Sequence, residues 1–245
     1  MNASAQQIHE ALEAVSLLRA ERTAHPALAL ASLEVKRFQA KRFQATYADL
    51  LKSPRYESAA RFFLNELYGD KDYANRDQQF ARIASTIAKL FPQAVVNTAA
   101  ALAEVHALTE RLDNDMARQW LVLDESAPPM TPAARYIACW RLVAGPADRH
   151  KQLEVVLDLG RSLNDLTRKP GLRTLLKMMR APAAAAGLGS LQNFLESGFD
   201  AFAAMRSADE FLALISRRET GWIASFFTDD AVACETKLKH LLAAC

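Results

Sequence analysis

The chain has 245 residues, enough for one large domain or two small ones with a sizeable core. Hydrophobic residues make up 51% and charged residues 24%, and a net charge of +2 gives no electrostatic reason for a polyanion partner. Three scattered cysteines (Cys139, Cys234 and Cys245) exclude a disulfide framework and a structural zinc site, and favour a reducing compartment.

The first residues, MNASAQQIHEALEAVSLLRAERTAH, lack a basic leader, and their only apolar run is AVSLL. No signal peptide and no transmembrane segment is expected, and the expected location is cytoplasmic. Ile8, Leu12, Val15 and Leu18 recur at helical spacing, and His25-Pro26 ends that helix.

A second helix is predicted over residues 27–52. It carries the pentapeptide KRFQA twice, as Lys36-Arg37-Phe38-Gln39-Ala40 and Lys41-Arg42-Phe43-Gln44-Ala45. Five residues advance a helix by about 500°, or 140° net, so the two copies do not stack. Phe38 and Phe43 then face nearly opposite sides, and the four cations scatter around the axis. The spacing predicts a helix sandwiched between neighbours with its basic side chains reaching outward, and it argues against a nucleic-acid contact.

Ser53-Pro54 supply a cap and first turn for a third helix, RYESAARFFLNELYG, which Gly69 ends. Ala59, Ala60, Phe63 and Leu67 form one stripe, broadened by Phe62 and Tyr68. That pattern reads as a core helix, or as an aromatic pocket for a small apolar ligand lined by Phe62, Phe63 and Tyr68. Asp70-Lys71-Asp72-Tyr73-Ala74-Asn75 begins like a calcium loop. It fails because Asn75 stands at the glycine position and Ala81 where a bidentate Glu is needed, so Asp72 or Asn75 reads as a helix cap.

With Phe62-Phe63-Leu64-x-x-Leu67-Tyr68-Gly69 followed by Asp72-Tyr73 and Arg76-Asp77, the first half of the chain resembles an uncharacterised bacterial helical family. The resemblance implies an all-α cytoplasmic protein. It brings no activity, no cofactor and no functional residue.

A helix is predicted from Arg76 to Leu90, and Pro92 opens a long one reaching Leu121. Its Leu102, His106, Glu110, Asp113 and Met116 share a face. A His among carboxylates on a bundle helix is a pattern for a ligand or a proton-transfer pair. The Glu-x-x-His pair of a di-iron site is missing, so no metal is assigned, and His106, Glu110 and Asp113 join Phe62, Phe63 and Tyr68 as ligand-pocket candidates. WLVLD (120–124) is the one β-looking run, too short and solitary to build a sheet.

The Pro-rich break DESAPPMTP (124–132) divides an N-terminal half, 1–123, from a C-terminal half, 133–245, and the two are expected to pack as one body. Thr131-Pro132 begins a helix that ends at Gly145-Pro146, another spans 147–167, and a short basic helix follows Pro170. Lys169, Arg173, Lys177 and Arg180 repeat at steps of four, four and three, a basic surface of the kind that meets anionic membranes, polyanions or acidic partners. APAAAAGLGS (181–190) reads as a connector. Ser207 and Glu210 form a capping box for a helix reaching Phe226, and a last helix follows. Cys139, beside Trp140 in YIACWRL, reads as a buried thiol.

No Walker loop, G-x-G-x-x-G, G-x-S-x-G or H-E-x-x-H motif is present. The predicted fold is therefore all-α, a multi-helix bundle of about nine to ten helices in two packed halves. Three functional readings follow. The first is a non-catalytic interaction or scaffold protein with a protein partner or self-association. The second is a bundle holding a small apolar ligand or haem-like cofactor, with an enzymatic role left open. The third is a polyanion- or membrane-surface-binding protein acting through the basic helix. Catalytic residues and cofactor stay unassigned.

Overall fold

Proline and glycine punctuate this chain sparsely, and long helices run between them. A computed structural model describes residues 3–67, 72–125 and 129–243, Leu67 by its backbone alone. Among the described residues the helices are α1 (Ala3–Ala24), α2 (Pro26–Thr46), α3 (Glu57–Phe62), α4 (Ala74–Leu90), α5 (Gln93–Asp124) and α6 (Pro132–Val143). They continue as α7 (Pro146–Thr167), α8 (Leu172–Met178), α9 (Arg180–Ala185), α10 (Gly189–Ala204), α11 (Asp209–Thr228) and α12 (Ala231–Ala243). The all-α class is as expected. The helices exceed the nine or ten expected because two went unread: α10, and α9 inside the alanine-rich segment read as a connector, where alanine is the best helix former and Gly187, at φ 68°, follows its end.

Other boundaries differ for local reasons. The second helix stops at Thr46 rather than near 52, because buried Tyr47 leaves helical geometry (φ −116°) and a 3-10 turn, Leu50–Lys52, follows. Ser53 makes no cap. The third helix begins only at Glu57 and gives way to a π-helical turn, Phe63–Leu67, a geometry frequent at functional sites. Asp72 does cap α4, its carboxylate accepting the Ala74 N–H at 2.9 Å. Thr131 likewise caps α6, through the Ala134 N–H. The Ser207–Glu210 capping box is not formed. Glu210 instead accepts from Arg55 and Tyr56, and Asn164 takes the Ala208 N–H at 3.0 Å.

α5 is the axis of the fold, lying against α1, α2, α4, α6 and α7. Two apolar clusters form. One gathers Ile8, Phe43, Phe63, Ala103, Phe202 and Phe211 among others, and the second gathers Val35, Met116, Tyr136, Trp140, Phe226 and Leu238. Each cluster draws residues from both sides of the Pro-rich break, so neither half owns a core. Each fully buried Phe contributes about 1.5–3 kcal/mol.

The KRFQA repeat is not a structural repeat, as its 140° offset requires. Phe38 stacks on Tyr136 at 4.5 Å, and Phe43 meets Tyr47 at 4.5 Å with the rings tilted. The expectation of outward-reaching cations needs correction: Lys36 pairs with Glu110, and Arg42, only 5% exposed, pairs with Glu219. Both reach inward because α2 is covered on both sides, toward buried Glu110 on one and half-buried Glu219 on the other.

Candidate functional site: a buried polar cavity

Where α2, α5, α6, α7 and α11 converge, the packing leaves a cavity of about 60 Å³. α2 contributes Gln39 and Arg42, α5 Thr109 and Asp113, α6 Tyr136 and Trp140, α7 Arg149 and Gln152, and α11 Glu219. Phe63, at the start of the π-helical turn, closes one side. Polar side chains thus converge inside an apolar shell.

Two of the charges satisfy each other. Arg42 donates to Glu219 through both terminal nitrogens, at 3.2 and 2.9 Å, and the Tyr47 hydroxyl donates to the same carboxylate at 2.8 Å. Burial alone would lower the Arg42 pKa, but the Glu219 charge more than reverses this. The Arg42 Nε has no partner.

The other two charges are not paired. Arg149 is 4% exposed and lies 4.0 Å over the Trp140 ring. Among the described residues its terminal nitrogens donate only to Gln152 at 3.3 Å and to the Met116 sulfur at 3.7 Å, and its Nε has no partner. Burial pulls its pKa below the usual value, which Tyr136 and Asp113 only partly offset. Asp113, 6% exposed, accepts a single hydrogen bond among the described residues, from Gln39 at 2.7 Å. Burial raises its pKa, and the attraction of Lys36 does not undo this. Tyr136 is fully buried and accepts from the Trp140 indole N–H at 3.0 Å, which leaves its own O–H to donate.

A family model, Domain of unknown function (DUF8198), matches residues 18–233. The chain belongs to the DUF8198 family. The match runs from within α1 to the start of α12 and includes every residue that lines the cavity. A family of unknown function is what the resemblance of the first half implied. No curated protein and no solved structure matches the chain.

Within the DUF8198 match, the ligand-pocket candidates read from sequence divide between three places. Phe63 and Asp113 line the cavity. Phe62 turns away to Phe194 and Gly198 on α10. Tyr68 lies outside the described residues. His106 and Glu110 sit in a nearby ion network: Asp77 meets His106 at 3.0 Å and Arg19 at 2.9 Å, while Glu110 pairs with Arg22 at 2.8 Å and with Lys36. This network joins α1, α2 and α4 to α5.

Burial pushes the Asp77 and Glu110 carboxyls up, but the cations around them outweigh it, and both titrate below their ordinary values. Folded pKa values lower than the unfolded ones mean that their stabilisation is present above about pH 4 and lost as pH falls through the folded values. The denaturant midpoint is expected to drop steeply below pH 4. In an Asp77→Asn/Glu110→Gln variant the midpoint at pH 7 is lower and the acid slope shallower; an unchanged slope would assign acid sensitivity to other groups.

The four cations of the predicted basic surface are all exposed, on α8, on α9 and in the turn before α8. Met179 separates α8 from α9, Arg173 pairs with Asp200 at 2.9 Å, and Arg180 pairs with Glu196. Lys169 and Lys177 are exposed. Cys139 and Cys234 are buried, and burial pushes the Cys139 thiol up to about 11.

Sequence reasoning missed Arg42, Tyr136, Arg149, Gln152 and Glu219. A signal existed in the helical register. Glu219 falls on the apolar stripe Leu212, Ile215, Trp222, Ile223 and Phe226, and Arg42 on that of Leu28, Ala31 and Val35. A charged residue on an apolar stripe has to be answered by something inside.

Proposed function

We propose that this chain is a binding protein and that its functional element is the central cavity, which takes a small polar ligand. One observation carries the reading: Arg149 and Asp113 are ionisable groups buried on the cavity wall, and neither has an ion-pair partner among the described residues. Such groups cost stability, and perturbed, unpaired ionisable groups in a concave site are what function retains. The volume sets the scale. An engineered cavity of about 150 Å³ holds benzene, and a water needs about 10–15 Å³. A cavity of about 60 Å³ therefore suits a ligand of a few heavy atoms. Its size argues against a haem-like ligand, and the ionisable Arg149 and Asp113 on its wall favour a polar ligand over the apolar one that the aromatic helix suggested.

A second reading, protein–protein interaction, draws support from α8, which has no buried residue and leaves Leu175 40% and Met178 70% exposed. The polyanion reading is weakened because Asp200 and Glu196 neutralise two of the four cations.

The test follows the Trp140 indole N–H by NMR during titration with formate, nitrate, acetamide, urea, methylammonium and benzene. Saturable shifts with at least one polar solute, accompanied by a rise in Tm, are expected, with none for benzene. Benzene occupancy, or silence toward every solute, would overturn the proposal.

A further inference from the structure

The charges that line the cavity point to one ligand class. Arg42 and Glu219 cancel through their two hydrogen bonds, and the remaining polar lining is neutral apart from Arg149 and Asp113. We infer, building on the cavity reading above, that the ligand is a small planar oxyanion of the formate or nitrate type, held by Arg149 and Asp113 and taken up together with a proton.

The geometry of Arg149 selects the shape. Trp140 covers one face of the guanidinium at 4.0 Å, so a ligand reaches its N–H groups in the plane of the fork. A guanidinium has five N–H donors; Gln152 and the Met116 sulfur take one N–H on each terminal nitrogen, which leaves a second N–H on each, while Nε is buried without a partner among the described residues. Two N–H groups side by side in one plane match a planar carboxylate or nitrate, not a sphere. Tyr136 lines the same space, with its hydroxyl left to donate.

Asp113 supplies the proton. It is faced by Lys36 and Arg42 from α2, Glu110 on its own helix, Tyr136 from α6, Arg149 from α7 and Glu219 from α11, with Arg22 of α1 behind Glu110. In its acid form it donates to an anion, and Arg149 then has no counter-charge except the ligand. Ionised, it repels the same anion. Its folded pKa is raised, so the acid form persists above the ordinary carboxylate range. Anion affinity is constant below the folded pKa and falls as pH rises through it, by up to tenfold per unit.

The experiment titrates full-length protein with sodium nitrate and sodium formate between pH 5 and pH 8, reading the Trp140 indole signal and calorimetric heat. Nitrate carries no proton in this range, so any pH dependence belongs to the protein. Expected results are saturable nitrate and formate binding at pH 5, weaker binding at pH 8, and little response to acetamide. Arg149→Met abolishes binding, and Arg149→Lys, which keeps the charge but loses the fork, weakens it at least tenfold; circular dichroism verifies that each is folded. Asp113→Asn retains binding with a flat pH profile. A preference for acetamide or methylammonium would keep the cavity as a polar site and overturn the anion class. Anion binding that stays pH-dependent in Asp113→Asn would overturn the role of Asp113. Silence toward all solutes would remove both this inference and the cavity reading.

Discussion

Glu219→Ala is expected to lower the unfolding free energy by about 3–5 kcal/mol, the scale for breaking a buried charge pair from one side. Glu219 accepts from both terminal nitrogens of Arg42 and from Tyr47, and its side chain is only 16% exposed. Removing it leaves a guanidinium that is 5% exposed without its counter-ion, and takes from buried Tyr47 the carboxylate its hydroxyl donates to. The loss therefore exceeds that of a surface pair, which is about 0–1 kcal/mol. Urea denaturation measures it. The double variant Arg42→Met/Glu219→Leu is expected to recover at least half of the loss, because hydrophobic replacement of both partners removes the desolvation cost along with the attraction. A Glu219→Ala loss below about 1 kcal/mol would mean that water entering the cavity solvates Arg42, and the pair would then not hold α2 to α11.

Gly160→Val is the second large expected effect. A Cβ at Gly160 would stand 2.5 Å from a Leu212 methyl, closer than carbon atoms approach. The position is on α7 where it crosses α11, and both residues are buried. The added side chain cannot turn to solvent, so α7 has to move or Leu212 has to leave its rotamer, at about 1–3 kcal/mol. The same two helices carry Arg149, Gln152 and Glu219, so the displacement also reshapes the cavity. Adding Leu212→Ala is expected to restore part of the stability, a positive coupling that a double-mutant cycle reads directly. Strict additivity would show that the two side chains do not compete for one space.

Helical class, the breaks at His25-Pro26 and Gly145-Pro146, and the Thr131 cap could all be read from the sequence, because proline, glycine and capping residues act within a turn of where they stand. The cavity was mostly hidden. Asp113 was visible as a carboxylate on the apolar face of α5. Arg149, in PADRHK, looks like a solvated first turn, and nothing nearby says that Trp140 lies under it. Arg42 was assigned outward because a basic residue in a KRFQA repeat has a solvated default. Its partner lies 177 residues away, beyond any local pattern. The pairing of Arg173 and Arg180 with α10 escaped for the same reason: a stripe of like charge can be read along one helix, but its neutralising acids sit on another.

The span between Arg42 and Glu219 also bears on how the chain is made. A ribosome adds about 5–20 residues per second, so Glu219, 177 positions after Arg42, follows it by about 9–35 s. For that interval α2 carries a cation destined for the interior whose partner has not yet been synthesised. The nascent N-terminal region therefore has a reason to keep Arg42 in water, and to postpone sealing the face of α2 that bears it, until α11 leaves the exit tunnel.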